Sequence, residues 1–189
     1  MPQARTLKES ELKKVLTTTA MGRNPTRNRV MILISFLSGM RVGEIAALTI
    51  GDVMASDGSI KSEVWLKAEQ TKGHRGRKVI FGEKLRKELA TYISTLKHQE
   101  PHRPLIYSQR CRHGFKANNL GQEFTRIFKM ANLDGATSHS GRRTFITNLA
   151  NKGIGVRILQ TLAGHRSMAT TQLYIDVNDD MLRLAVDLI

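Results

Sequence analysis

Met31, Ile32, Leu33, Ile34, Phe36 and Leu37 are apolar on nearly every side of the helix they would form. A helix that is hydrophobic all round has to be buried, so this one marks the centre of the fold and the other elements must wrap it. Asn24 and Pro25 supply a cap and a first-turn proline at its start. The apolar run from Val30 to Leu37, interrupted by Ser35, is far too short to span a bilayer.

Around that centre the helical period recurs. Thr6-Leu7-Lys8-Glu9 reads as a capping box ahead of a helix through Ala20, with Leu12, Val15 and Leu16 as its apolar stripe. Residues 83–96 bury Leu85, Leu89, Tyr92, Ile93 and Leu96. Asn118 and Asn119 lead into a helix to Asn132 that buries Leu120, Phe124, Ile127 and Phe128. Further helices are expected over 138–149, over 156–163, and from a cap at Asn178 or Asp179 to the last residue. The period changes only between Ile50 and Phe81, where Glu63–Lys67 and Lys78–Phe81 alternate as strands, with turns at Asp57-Gly58 and Thr71-Lys72-Gly73. The expected fold is therefore mixed α+β, mostly α-helical, with a small three-stranded antiparallel sheet. At 189 residues it suits a single domain.

Thirty Lys and Arg oppose sixteen Asp and Glu, a formal net charge of +14. That excess favours a polyanionic partner, with nucleic acid ahead of an anionic membrane because the basic residues do not gather on one amphipathic helix. Cys111 is the only cysteine, so no intramolecular disulfide forms, and with no apolar leader a reducing, cytoplasmic setting is expected. His98, His102, Cys111 and His113 lie close in sequence but meet no zinc-ligand spacing, and no metal or other cofactor is expected.

The residues that carry chemistry fall in four places. Arg41 stands where the chain re-enters a helix after Gly39, with Glu44 on the same face. An arginine there adds its charge to outward-pointing backbone donors, which suits a phosphate. The turn between the strands carries Lys72, His74, Arg75, Arg77 and Lys78. His139 and Arg142 sit one helical turn apart, opposite Phe145, Ile146 and Leu149. Finally, Gly164 ends one helix and Ser167 caps another that carries Met168 to Ile175, which brings His165 near Tyr174. Each of these alone is an ordinary surface pair, basic hairpin or amphipathic helix.

Together they resemble the catalytic domain of tyrosine recombinases, the phage-integrase family, from Asn24 onward and in the family's order. Gly141 departs from a position where the family often has leucine, and Ala163 replaces the leucine that usually precedes Gly-His. The resemblance implies a catalytic set of Arg41, Lys72, His139, Arg142, His165 and Tyr174, with Glu44 orienting Arg41. It also implies DNA contacts from the basic residues beside them, His74, Arg75, Arg77, Arg143 and Arg166. The expected activity is site-specific recombination of double-stranded DNA: Tyr174 forms a 3'-phosphotyrosyl intermediate, and strand exchange and religation follow without metal or ATP. Alternatives are a non-catalytic DNA-binding regulator with the same fold and a type IB topoisomerase-like relaxing enzyme. The family's N-terminal DNA-binding domain is absent from residues 1–189, which read as one catalytic domain. A homo-tetramer on DNA is expected, with residues 178–189 available for exchange between subunits and Tyr174 able to withdraw from the site without DNA.

Overall fold

The structure is a computed structural model describing residues 4–71, 73–108, 113–175 and 179–187. Helix α2 (Pro25–Ser38) is the central element: Met31, Ile32, Leu33 and Ile34 are no more than 1% exposed. It packs against α1 (Glu9–Met21), α5 (Glu83–Ser94) and α7 (Ser140–Asn151), so three helices cover the sides that its sequence left apolar. Ahead of α6 (Ala117–Met130) come α3 (Val42–Ala47) and α4 (Ile50–Val53); α6 buries Leu120, Phe124, Ile127 and Phe128 and packs against both α1 and α3. Helices α8 (Val156–Ala163) and α9 (Met168–Gln172) follow α7, and α10 (Asp179–Val186) comes last. The cap of α1 lies two residues later than expected: the Lys8 N–H donates to the Glu11 carboxylate at 2.8 Å, while Thr6 is exposed. Leu7 is instead pulled inward, its N–H donating to Thr144 Oγ1 at 2.9 Å.

Among the described residues the sheet has two strands, not three. β1 (Glu63–Leu66) pairs antiparallel with β2 (Arg77–Ile80), Val64 opposite Val79 and Trp65 opposite Lys78. The rest of the stretch from Ile50 to Phe81 contributes only an isolated bridge, Met54 to Ile60. Thr49 diverts it: its Oγ1 accepts from the Asp52 N–H at 3.2 Å and its own N–H donates to the Asp52 carboxylate at 2.8 Å, starting α4 where a strand would have begun. The inward face of the hairpin joins the core through Val64, Leu66 and Val79, while Trp65 stays 66% exposed.

Helices α2 and α7 are held close by a glycine. A Cβ at Gly141 would stand 2.4 Å from Ser35 Oγ and 2.8 Å from Phe36 Cδ2. The residue that departs from the expected leucine is therefore the one that lets α7 approach α2. No helix among the described residues is long and apolar enough to cross a membrane, and none of their His, Cys, Asp and Glu side chains group to hold a metal ion.

Candidate active site

Glu44, only 1% exposed, is the hub of the site. Its carboxylate takes the Arg41 N–H at 2.8 Å and Arg41 Nη1 at 3.0 Å, and from the other side Arg77 Nε at 3.0 Å and Nη2 at 2.7 Å. Burial alone would raise its pKa, but Arg77 and then Arg41 hold it below the ordinary carboxylate value. The sequence puts Glu44 three residues into α3, where its carboxylate also closes the helix start by accepting the Arg41 N–H.

Arg77 was expected to face DNA and is turned inward instead. Besides holding Glu44 at two points, its Nη1 donates to the Leu162 carbonyl at 3.1 Å, and its side chain is 11% exposed. Gly164 makes room for it: this residue ends α8 at φ 63°, and a Cβ there would stand 2.6 Å from Arg77 Cδ. An arginine on β2 thus ties the hairpin to both α3 and the end of α8.

Arg142, 4% exposed, is gripped by two helix ends. Its Nη1 donates to the carbonyl of Gly39, just past α2, and its Nη2 to the carbonyl of Ala163, the last residue of α8, both at 2.7 Å. The carbonyl-rich C-termini of helices attract cations, which is why a guanidinium settles there. Arg41 Nη2 reaches the neighbouring Gly164 carbonyl at 3.4 Å. Burial, then repulsion from Arg41 and Arg77, push the Arg142 pKa down to about 9 although Glu44 and Tyr174 oppose the shift. The guanidinium remains charged at neutral pH, in a site where three arginines face one carboxylate.

His165 and Tyr174 complete the cluster. Ser167 caps α9 as expected, Oγ accepting from the Ala169 N–H at 3.2 Å, but the helix ends at Gln172 and Tyr174 lies in the turn beyond it. The half-buried Tyr174 ring stacks on His165, with centroids 5.4 Å apart and planes 24° apart, and the Arg143 guanidinium lies 5.6 Å from the Tyr174 centroid. Thr147 Oγ1 donates to the Tyr174 carbonyl at 3.2 Å. The tyrosine hydroxyl makes no hydrogen bond to Arg41 or Arg142 among the described residues. Burial, then Arg142, Arg41 and Arg77, lower the His165 pKa to about 4, and its Nδ1 lies 2.9 Å from Thr171 Oγ1.

Other expected residues are placed differently. His139 is exposed at the N-cap of α7, while Arg142, one turn on, is buried. Lys72 lies outside the described residues, as do Cys111 and Asn178. Beside Lys72, Arg166 Nη2 donates to the Gly73 carbonyl at 3.0 Å, so the turn between the strands is tied to the residue after His165. His74 and Arg75 are exposed on that turn. Sequence reasoning gave Thr171 no role and did not foresee the ion pair of Arg77 with Glu44; the signal for it was a single acid, Glu44, close to several arginines.

A model of the phage integrase family matches residues 5–181. Tyrosine recombinase XerC of Lactobacillus leichmannii is 28% identical over 157 residues, 80% of this chain and 51% of that protein. The crystal structure of XerA recombinase superposes with a TM-score of 0.77 at 28% identity, covering 100% of this chain and 66% of that one. XerH site-specific recombinase, solved with its difH substrate in a pre-cleavage complex, gives 0.66 at 25% identity over 96% of this chain and 53% of that one. This chain spans about half to three-fifths of the length of the curated relatives it matches. Matched across nearly all of its residues and folded as XerA is, the chain belongs to the phage integrase family.

Proposed function

We propose that this chain is the catalytic part of a site-specific recombinase that cuts and rejoins double-stranded DNA in the cytoplasm through Tyr174. The observation that carries the reading is the charge imbalance in the cluster at Glu44: Arg41, Arg77 and Arg142 against that one carboxylate leave an excess of two positive charges. A phosphodiester carries one negative charge and its pentacoordinate transition state two, so the cluster matches the transition state better than the ground state.

The phenolic oxygen of Tyr174 attacks phosphorus in line, and the bond from phosphorus to the 5'-oxygen breaks. A 3'-phosphotyrosyl linkage and a free 5'-hydroxyl result. Arg41 and Arg142 hold the non-bridging oxygens, and His165 donates to one of them. Lys72 protonates the leaving 5'-oxygen, and His139 helps to remove the tyrosine proton. Attack of another 5'-hydroxyl on the linkage restores a phosphodiester and releases Tyr174, so the reaction needs no nucleotide cofactor. His74, Arg75, Arg143 and Arg166 contact the duplex around the cut. Assembly is as a tetramer on paired sites, a reading supported by the exposed apolar Leu182 and Val186 of α10, which would dock on a neighbouring subunit.

Nicked duplex fragments from around the gene, which trap the covalent intermediate because the freed strand diffuses away, test this directly. The wild-type chain forms a protein–DNA adduct, and Tyr174→Phe forms none while binding DNA as before. Arg41→Ala and Arg142→Ala each slow adduct formation by about 3 to 4 kcal/mol of barrier, on the order of several hundred-fold. An adduct with Tyr174→Phe would overturn the assignment of the nucleophile.

A further inference from the structure

Only one nitrogen of His165 is open to a phosphate, because the other is occupied. Nδ1 lies 2.9 Å from the Oγ1 of Thr171, six residues along and inside α9. Thr171 is wholly buried, and among the described residues Nδ1 is the only hydrogen-bond partner of its hydroxyl. Other helical threonines, such as Thr17, Thr144 and Thr161, donate to the carbonyl four residues back. Thr171 forgoes that bond for the histidine.

The imidazole is uncharged at neutral pH, since burial and then Arg142, Arg41 and Arg77 lower its pKa. It therefore carries a single ring proton, on one nitrogen or the other. If Nδ1 held the proton, it would donate to Thr171, and the threonine hydrogen, sealed from water, would have no acceptor. If Nε2 holds it, the threonine donates to Nδ1, no buried hydrogen is stranded, and the Nε2–H is left to solvent or a phosphate. A stranded buried donor is the costlier arrangement, so the second prevails.

We propose that Thr171 is a positioning residue that holds His165 as its Nε2–H tautomer, making the ring a hydrogen-bond donor to a phosphate oxygen. The proposal rests on the phosphate-clamp reading of Arg41 and Arg142. It also commits His165 to one role. With Nε2 protonated and Nδ1 engaged by Thr171, the ring offers no free basic nitrogen, so it stabilises the phosphate and does not take the Tyr174 proton.

Nitrogen-15 NMR of the full chain, with histidine rings labelled and the His165 signals assigned through His165→Gln, tests the tautomer without DNA. At pH 7 the wild type is expected to show a protonated Nε2 and an acceptor Nδ1. Thr171→Val should give a mixture of tautomers, and Thr171→Ser should restore the wild-type pattern. In adduct formation on nicked DNA, Thr171→Val should be roughly tenfold slower with unchanged DNA affinity, again restored by Thr171→Ser, and without further effect in a His165→Gln background. A protonated Nδ1 in the wild type, or an unaltered tautomer in Thr171→Val, would overturn the proposal. Inorganic phosphate, titrated as the probe, should shift Nε2 and leave Nδ1 still. An Nε2–H ring that ignores phosphate would instead refute the clamp, and the donor role with it.

Discussion

His165 lies half-buried among Arg142, Arg41 and Arg77, and burial together with those charges holds its pKa near 4 against an ordinary 6.5. Between those values the unfolded chain binds a proton that the folded ring refuses, so the native state gains stability as pH rises through this window. The contribution is complete above 6.5 and is lost as pH falls toward 4. An NMR titration of the DNA-free chain should find the His165 midpoint near 4, and His165→Gln should flatten part of the acid loss of stability in urea unfolding. A midpoint near 6.5 would show that the ring does not feel the three arginines. At this scale the sequence was informative for residues whose neighbours define them: Arg41 three before Glu44, and His165 just after a helix-ending glycine. It did not show the inward turn of Arg77, because an arginine beside a basic turn looks the same whether its side chain points out to solvent or in to a carboxylate from another segment. His139 and Arg142 share a helical spacing, yet the first is exposed and the second buried, since the helix begins between them.

Among the elements, the contact of α2 with α7 matters most, because α7 carries Arg142. Gly141 leaves no room for a side chain against Ser35 and Phe36. Restoring the family's leucine by Gly141→Leu should therefore destabilise the fold by about 3 kcal/mol or more through overpacking, read as a lowered urea midpoint. Ser35 offers the converse test: its hydroxyl is buried with no hydrogen-bond partner among the described residues, so Ser35→Ala should leave stability unchanged or raise it by about 1 kcal/mol. A loss of more than that would mean that the hydroxyl has a partner. The helices themselves were legible because long apolar periods are hard to mistake, and residues 156–163 were expected and found as α8. The third strand failed because Thr49 and Asp52 cap each other over four residues, a signal too short to outweigh the change of period around it. Helix α9 stops short of Tyr174, which takes the proposed nucleophile off the helix and onto the turn behind it.

Over the whole molecule, a formal charge of +14 favours a polyanionic partner, and the proposed one is DNA. For Tyr174→Phe, which is expected to bind without cutting, log affinity for duplex DNA should fall linearly with log salt, by about 0.9 per phosphate contacted. A salt-independent affinity would argue against a polyanionic partner. Composition revealed this much, but not how distant segments converge, since that depends on packing. The bond from Arg142 to Gly39 closes 103 positions of chain, and the bond from Arg41 to Gly164 closes 123. Contacts this far apart in sequence form late, after the loops between them have been closed at an entropic cost. A chain still being synthesised, or one partly unfolded, holds the tyrosine and the arginines without holding them together. Under the proposed activity, completion of the fold is itself the safeguard, since only a molecule that has finished folding brings Tyr174 to the arginines.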